Sequence, residues 1–229
     1  MKRFWKDVAV VEDGGWGIAL DGRRVKTPAQ AELVVPTRAL AEAVASEWRE
    51  VGDKVDPRAM PLTGLANAAI DRVAPDPNAF AAVLSKYGES DLLCYRADSP
   101  PELIRRQEES WDPLLAWARR RYDVDFRTTA STIWQPQPPA TIQRLAHAVA
   151  TLDPFRLAGL SPLVTIGGSL VTALAVPEGA VPAVAAWQAV SLDERWQLEK
   201  WGSDSEAVAA LEARRREFMA AAKFLELLD

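Results

Sequence analysis

The chain has 229 residues, of which 48% are hydrophobic, and it carries a formal net charge of −5. That length fits one large domain or two small ones, and that apolar content predicts a folded protein with a sizeable core. The acidic balance disfavours a nucleic-acid-binding protein, and the single cysteine and single histidine exclude an internal disulfide framework and the recurrent zinc arrangements.

Strand signals open the chain. The β-branched run from Val8 to Val11 and the alternating segment from Trp16 to Leu20 predict two strands. Turn signals follow them at Asp13-Gly14-Gly15 and Asp21-Gly22, and two more short strands are expected at residues 23–26 and 33–35. Because these connections are too short for parallel crossovers, residues 1–36 are predicted to form a small antiparallel β-rich N-terminal domain.

Helical periodicity begins after Pro36. Thr37 is a predicted N-cap, and the apolar residues that follow recur at the spacings of an amphipathic helix: Leu40, Val44, Trp48 and Val51. We expect residues 37–229 to form a mainly helical domain, with short strands near residues 89–95 and 124–134. The predicted fold class is α+β, a small antiparallel β-rich N-terminal region followed by a larger, predominantly α-helical domain.

Motifs for catalysis are scarce. Gly14-Gly15-Trp16-Gly17 lacks the Gly-Lys-Ser/Thr ending of a phosphate-binding loop and fits a hairpin turn. His147 has no carboxylate at helical spacing, and Cys94 lies in an apolar run with only Arg96 to activate it. The residues therefore predict no metal and no cofactor. One enzymatic alternative stays open, a hydrolase that uses an acidic pair such as Asp193/Glu194.

Tryptophan is frequent, with nine in the chain. Residues 182–201 predict a helix with two apolar stripes: Ala185, Ala189, Leu192 and Trp196 on one, and Trp187, Val190, Leu198 and Trp201 on the other. Such a helix is either packed on both sides or exposes one face to a partner. Glu194 falls within the second stripe. Its carboxylate is expected either to pair with an arginine of the final helix or to contact a bound protein.

Several segments resemble the Atp12 family of assembly chaperones for the F1 part of ATP synthase. They occur in the family's order and span residues 3 to 202. The segments are Arg3-Phe4-Trp5, Leu20-Asp21-Gly22-Arg23, Lys26-Thr27-Pro28, Glu47-Trp48, Met60-Pro61-Leu62-Thr63, Tyr87-Gly88-Glu89-Ser90-Asp91-Leu92-Leu93-Cys94-Tyr95-Arg96, Trp111-Asp112-Pro113-Leu114 and Trp201-Gly202.

The resemblance implies a binding protein rather than an enzyme. Its expected partner is the free F1 α subunit, whose subunit interface it would shield until the β subunit arrives. Glu194, Gln197 and Trp201-Gly202 match the family's late helical motif. Together with the second apolar stripe, they give a predicted partner-binding set. That set is Trp187, Glu194, Gln197, Leu198 and Trp201.

The expected location is the bacterial cytoplasm. The N-terminus shows neither an export signal nor an organelle leader, and the longest apolar stretch, residues 160–176, is short for a membrane span and contains one proline, two glycines and several hydroxyl residues. We therefore expect no membrane insertion and no nucleic-acid partner. A third possibility is a structural subunit built permanently into a complex. Presence in the finished ATP synthase would distinguish it from a chaperone.

Overall fold

The computed structural model describes residues 2–12, 14–130, 133–202 and 204–229. It confirms the predicted α+β class, since a small antiparallel sheet at the N-terminus precedes a mostly helical region. The four strands of the sheet are β1 (Val8–Glu12), β2 (Trp16–Leu20), β3 (Arg23–Arg24) and β4 (Val34–Val35).

The sheet is organised around β2. This strand pairs with β1 along its whole length and, on its other side, with β3 and β4. The predicted turn at Asp21-Gly22 is confirmed: both residues have positive φ, 48° and 80°, as a tight hairpin turn requires. The Asp21 carboxylate accepts hydrogen bonds from the backbone N–H groups of Asp7 and Lys6, which lowers its pKa. In the other predicted turn, Asp13 lies outside the described residues, and Gly14 has a φ of 64°.

Ten helices follow the sheet in the described residues. They are α1 (Arg38–Glu50), α2 (Pro61–Ala68), α3 (Pro77–Ser85), α4 (Pro101–Tyr122), α5 (Pro139–Ala150), α6 (Pro154–Gly167), α7 (Leu170–Ala175), α8 (Ala183–Val190), α9 (Leu192–Trp201) and α10 (Ser205–Glu226). No helix of the described residues is long and apolar enough to cross a membrane.

Helix α1 buries its apolar stripe in the core that includes the sheet. Thr37 is its N-cap as predicted, because its hydroxyl accepts a hydrogen bond from the backbone N–H of Leu40. Glu47 on α1 then receives the first N–H groups of α2, those of Leu62 and Thr63, each at 2.8 Å. A carboxylate at this position is stabilised by the helix dipole and satisfies donors that the helix itself leaves unpaired.

The strand predicted near residues 89–95 is wrong. Residues Lys86–Ser90 and Leu92–Cys94 form 3₁₀ turns instead. The cause is Asp91, whose buried carboxylate accepts from the N–H of Leu93 at 3.0 Å and from the N–H of Val171 at 2.9 Å. These bonds curl the chain at a place where the apolar run alone suggests an extended segment.

The strand predicted near residues 124–134 is also absent from the described residues of that range, which exclude Ser131 and Thr132. A single bridge joins Thr129 to Tyr95 in parallel orientation. The backbone of Thr129 donates to the carbonyl of Cys94 at 2.9 Å and accepts from the N–H of Arg96 at 2.8 Å. These two hydrogen bonds hold the segment against residues 94–96, although the described residues form no strand there.

The chain forms two compact units. The first comprises residues 1–77, 153–159 and 223–229, and the second comprises residues 78–152 and 160–222. The predicted domain boundary lies after residue 36, whereas α1 and α2 lie with the sheet in the first unit. Trp5 and Trp48 are buried there with ring centroids 5.3 Å apart. In the second unit Trp111 is buried, and its indole N–H donates to the carbonyl of Ala189 at 2.8 Å.

Candidate functional site

The single helix predicted for residues 182–201 is two helices in the structure. Ser191 separates α8 from α9, and its hydroxyl donates to the carbonyl of Trp187 at 2.7 Å. A serine that bonds back to the preceding turn bends a helix, which explains the break. The two-stripe interpretation therefore fails as stated, because the residues of the second stripe are divided between two helices.

Trp187 does not reach the surface. It lies on α8 with 5% of its area exposed, and its ring centroid is 5.6 Å from that of Phe218 on α10. The other four predicted site residues all lie on α9 and line one groove. The structure thus brings together Glu194, Gln197, Leu198 and Trp201, and it places Trp187 in the core beneath α10.

The groove runs between α9 and α10 and has a volume of about 340 Å³. Its second wall is made of small and aliphatic residues of α10: Ala207, Ala210 and Leu211, with Arg214 at one end. Gly202 connects the walls at the other end with a φ of 89°, a left-handed conformation that favours glycine. Trp201 stands at the rim and is 80% exposed, so its indole is available to another molecule.

Glu194 closes one end of the groove through a bidentate ion pair with Arg214. Its two carboxylate oxygens accept from the guanidinium nitrogens at 2.8 and 2.7 Å. This confirms the predicted pairing with an arginine of the final helix. Both side chains are nearly half exposed, 46% for Glu194 and 42% for Arg214, so the pair is also open to a second contact.

A larger cleft of about 760 Å³ lies on the other side of α9. Asp193, Trp196, Gln197 and Trp201 supply its α9 wall, and residues 95–100 form much of the opposite wall. Gln107 joins the two walls: its amide donates to Asp193 at 2.7 Å and accepts from the N–H of Ala97 at 2.8 Å. Burial raises the pKa of the Asp193 carboxyl.

Sequence reasoning singled out Asp193 only as half of an acidic pair and missed Gln107. Asp193 faces the cleft whereas Glu194 faces the groove, because neighbours on a helix point about 100° apart. Two carboxylates that work together on one substrate must flank the same bond. The acidic pair of the hydrolase alternative therefore does not share a site.

Neither Cys94 nor His147 lines the groove or the cleft. Cys94 is fully buried, and desolvation raises the pKa of its thiol to about 12, the opposite of an activated nucleophile. His147 is exposed on α5. In the described ranges, no three histidine, cysteine or carboxylate side chains are grouped so that they could hold a metal ion.

The chain is similar to known proteins over its whole length. The family described as ATP12 chaperone protein matches residues 2–119. A curated relative, the mitochondrial protein atp12 of Schizosaccharomyces pombe, is 26% identical over 219 residues, covering 90% of this chain and 75% of the relative.

Solved structures agree with that match. The structure of Atp12 from Paracoccus denitrificans is 44% identical, with a TM-score of 0.94 and coverage of 100% of this chain and 98% of that one. A protein from Agrobacterium tumefaciens is 39% identical with the same TM-score, covering 100% of this chain and 86% of that one.

Proposed function

Because this chain belongs to the ATP12 chaperone family, and with it to the chaperones of ATP synthase assembly, we propose that its client is the free F1 α subunit. The chaperone binds α before assembly and covers its subunit interface until the β subunit replaces it. An unassembled subunit exposes an apolar interface that is prone to aggregation, so a protein that covers the interface needs an apolar surface of its own and no chemical step.

The observation that supports this proposal is the exposure of Trp201. Large aromatic side chains usually bury most of their surface, and tryptophan is enriched among the residues that dominate binding energy. In this chain Trp201 is 80% exposed and stands where the groove and the cleft meet, since it lines both. A partner that covers α9 would bury this indole together with the apolar wall beside it.

We propose that Glu194, Gln197, Leu198 and Trp201 contact the client directly. Trp187 contributes to client binding indirectly. It packs against Phe218 and so supports α10, which forms the second wall of the groove. We also propose that the protein acts in the bacterial cytoplasm without a cofactor or a catalytic step. Release then depends on competition from β for the same α surface.

Substitution of Trp201 tests this proposal. Trp201→Ala removes the exposed indole, and we expect a large loss of α subunit retained on the immobilised chaperone with little change in thermal stability, because an exposed side chain adds little to the core. Trp134→Ala is the matched control, since Trp134 is 59% exposed and lines neither the groove nor the cleft. Equal retention of α by Trp201→Ala, Trp134→Ala and the unmodified protein would count against the proposed surface.

A further inference from the structure

Helix α10 carries a continuous heptad-like stripe that is buried at one end and open at the other. Its members, separated alternately by four and three residues, are Ala207, Leu211, Arg214, Phe218 and Ala221. This is the spacing by which helices pack side by side. Phe218 and Ala221 are completely buried, whereas Ala207 is exposed and Leu211 and Arg214 are only partly covered.

Helix α9 presents a matching stripe to the open end. Glu194, Gln197, Leu198 and Trp201 follow the spacing i, i+3, i+4, i+7, and Ala207, Ala210, Leu211 and Arg214 repeat it on α10. Two helices that present such stripes to one groove form two sides of a three-helix seam. In the described part of the chain, the third side of this seam is empty.

We propose that an amphipathic α-helix of the client protein fills this groove and completes the seam. This inference rests on the proposed function and adds to it the kind of client segment that is recognised. The open part of the α10 stripe spans residues 207–214, about two helical turns. The client helix therefore needs an apolar stripe of about the same length.

The backbone chemistry of the groove favours a helix over an extended segment. Both walls are helices, whose N–H and C=O groups are bonded within the helix except near the ends. An extended peptide laid in the groove would find unpaired backbone groups only at the helix ends, chiefly beside Gly202, and along the rest of the groove its own backbone groups would be buried without partners, which is costly. A helix satisfies its own backbone and offers only side chains to the walls.

The shape and charge of the groove agree with this occupant. Gly202, Ala207 and Ala210 leave room for a neighbouring backbone, since the distance between packed helices, about 8–10 Å, depends on the side chains at the contact. Glu194 and Arg214 neutralise each other at one end. The groove therefore carries no net charge along its apolar length, which suits an uncharged stripe on the client.

Photo-crosslinking tests the inference on the assembled chaperone–client complex. The photoreactive amino acid benzoylphenylalanine replaces Gln197 at the groove and, as a control, Gln143, an exposed residue of α5 that lines neither the groove nor the cleft. Each variant is purified with F1 α and irradiated, and the linked residues of α are identified by mass spectrometry. We expect crosslinks from position 197 to residues of the α subunit that lie three, four or seven apart within one helix. We expect no crosslinks from position 143.

A second variant gives an independent test. Ala210→Trp fills the groove and is expected to abolish the crosslink from position 197 while the chaperone stays folded, since Ala210 is exposed. Crosslinks to an extended segment of α, crosslinks to a second copy of the chaperone, or purified α that forms no crosslink at 197 would each overturn the helix inference alone. Failure of α to purify even with the unmodified chaperone would overturn the proposed function together with the inference.

Discussion

Two adjacent carboxylates at the start of α9 have different surroundings. Asp193 accepts a hydrogen bond from Gln107 and has a raised pKa because it is partly buried. Glu194 instead lies in a half-exposed ion pair with Arg214. An exposed pair contributes between about 0 and 1 kcal/mol to stability. Glu194 is therefore a residue whose loss should affect binding far more than folding.

Reversal of the charge at Glu194 tests this difference. Glu194→Lys places a cation beside Arg214, so the end of the groove becomes positive, and we expect clearly weaker retention of F1 α. The loss of a surface pair should lower the melting temperature by no more than about 2–4 °C for a chain of this size. Both quantities are measured on the same preparation, by pull-down and by thermal unfolding.

Glu212→Lys is the matched control for that variant. Like Glu194, Glu212 is a carboxylate paired with an arginine, Arg215, but it lies on α10 and does not line the groove. It should leave α binding almost unchanged. If Glu194→Lys unfolds the protein, Glu194 belongs to the structural framework and its assignment to the binding surface is wrong.

Helix boundaries in the second unit depend on contacts distant in sequence. Asp91 accepts from the N–H of Leu93 at the start of the 3₁₀ turn over residues 92–94, and also from the N–H of Val171, 80 positions further along the chain. The local run Leu92 to Tyr95 is compatible with a strand, and the long-range bond between Asp91 and Val171 has no local pattern. Thr37 shows the converse, because a cap that bonds the third residue after it is visible in the sequence.

The same reasoning applies to the candidate site. The spacing of Glu194, Gln197, Leu198 and Trp201 was enough to place them on one helical face, and the structure brings them to one groove. Trp187 was misplaced because the helical period continues across Ser191, while the side-chain bond that interrupts the helix has no periodic signature. Gln107 was missed since its role comes from two partners at separate places in the chain, Ala97 and Asp193.

The buried carboxyl of Asp91 makes the stability of the folded protein depend on pH. Its carboxyl is completely buried, and desolvation raises its pKa from 3.8 to about 6. The folded state therefore holds the proton more tightly than the unfolded state. The contribution of this group to stability is complete below pH 3.8 and is lost as the pH rises through 6.

Comparison of the unmodified protein with Asp91→Asn measures that contribution. An elevation from 3.8 to about 6 corresponds to about 3 kcal/mol. The free energy of unfolding of the unmodified protein, minus that of Asp91→Asn, should fall by up to this amount between pH 4 and pH 7. Asp98→Asn removes an exposed carboxylate and is the control. A difference that stays constant or rises with pH would contradict the assignment.

The whole chain combines a small sheet, a helical majority and an exposed tryptophan, Trp201, on α9. The family resemblance read from ordered segments is confirmed by the ATP12 chaperone match and by the 0.94 TM-score to Atp12 of Paracoccus denitrificans. Several of those segments contain residues that stabilise the fold. Glu47 caps α2 at Leu62 and Thr63, and the indole N–H of Trp5 donates to the carbonyl of Trp48.

These contacts stabilise the fold and do not identify the client. Structural duties explain why the segments at residues 3–5, 47–48 and 60–63 occur together in one fold, but they do not select a partner. The open groove and the exposed Trp201 support the proposal that a protein binds at α9. The F1 α subunit is the client that we propose from the family resemblance, and a direct binding measurement distinguishes α from β.

Selective capture of separately produced F1 subunits tests whether this chaperone binds α. The immobilised full-length chaperone is incubated with α alone, with β alone, and with α followed by excess β, and the retained subunits are identified. We predict that α is retained, that β alone is not, and that added β displaces α from the chaperone. Retention of neither subunit, or equal retention of both, would show that this chain is not a chaperone specific for α.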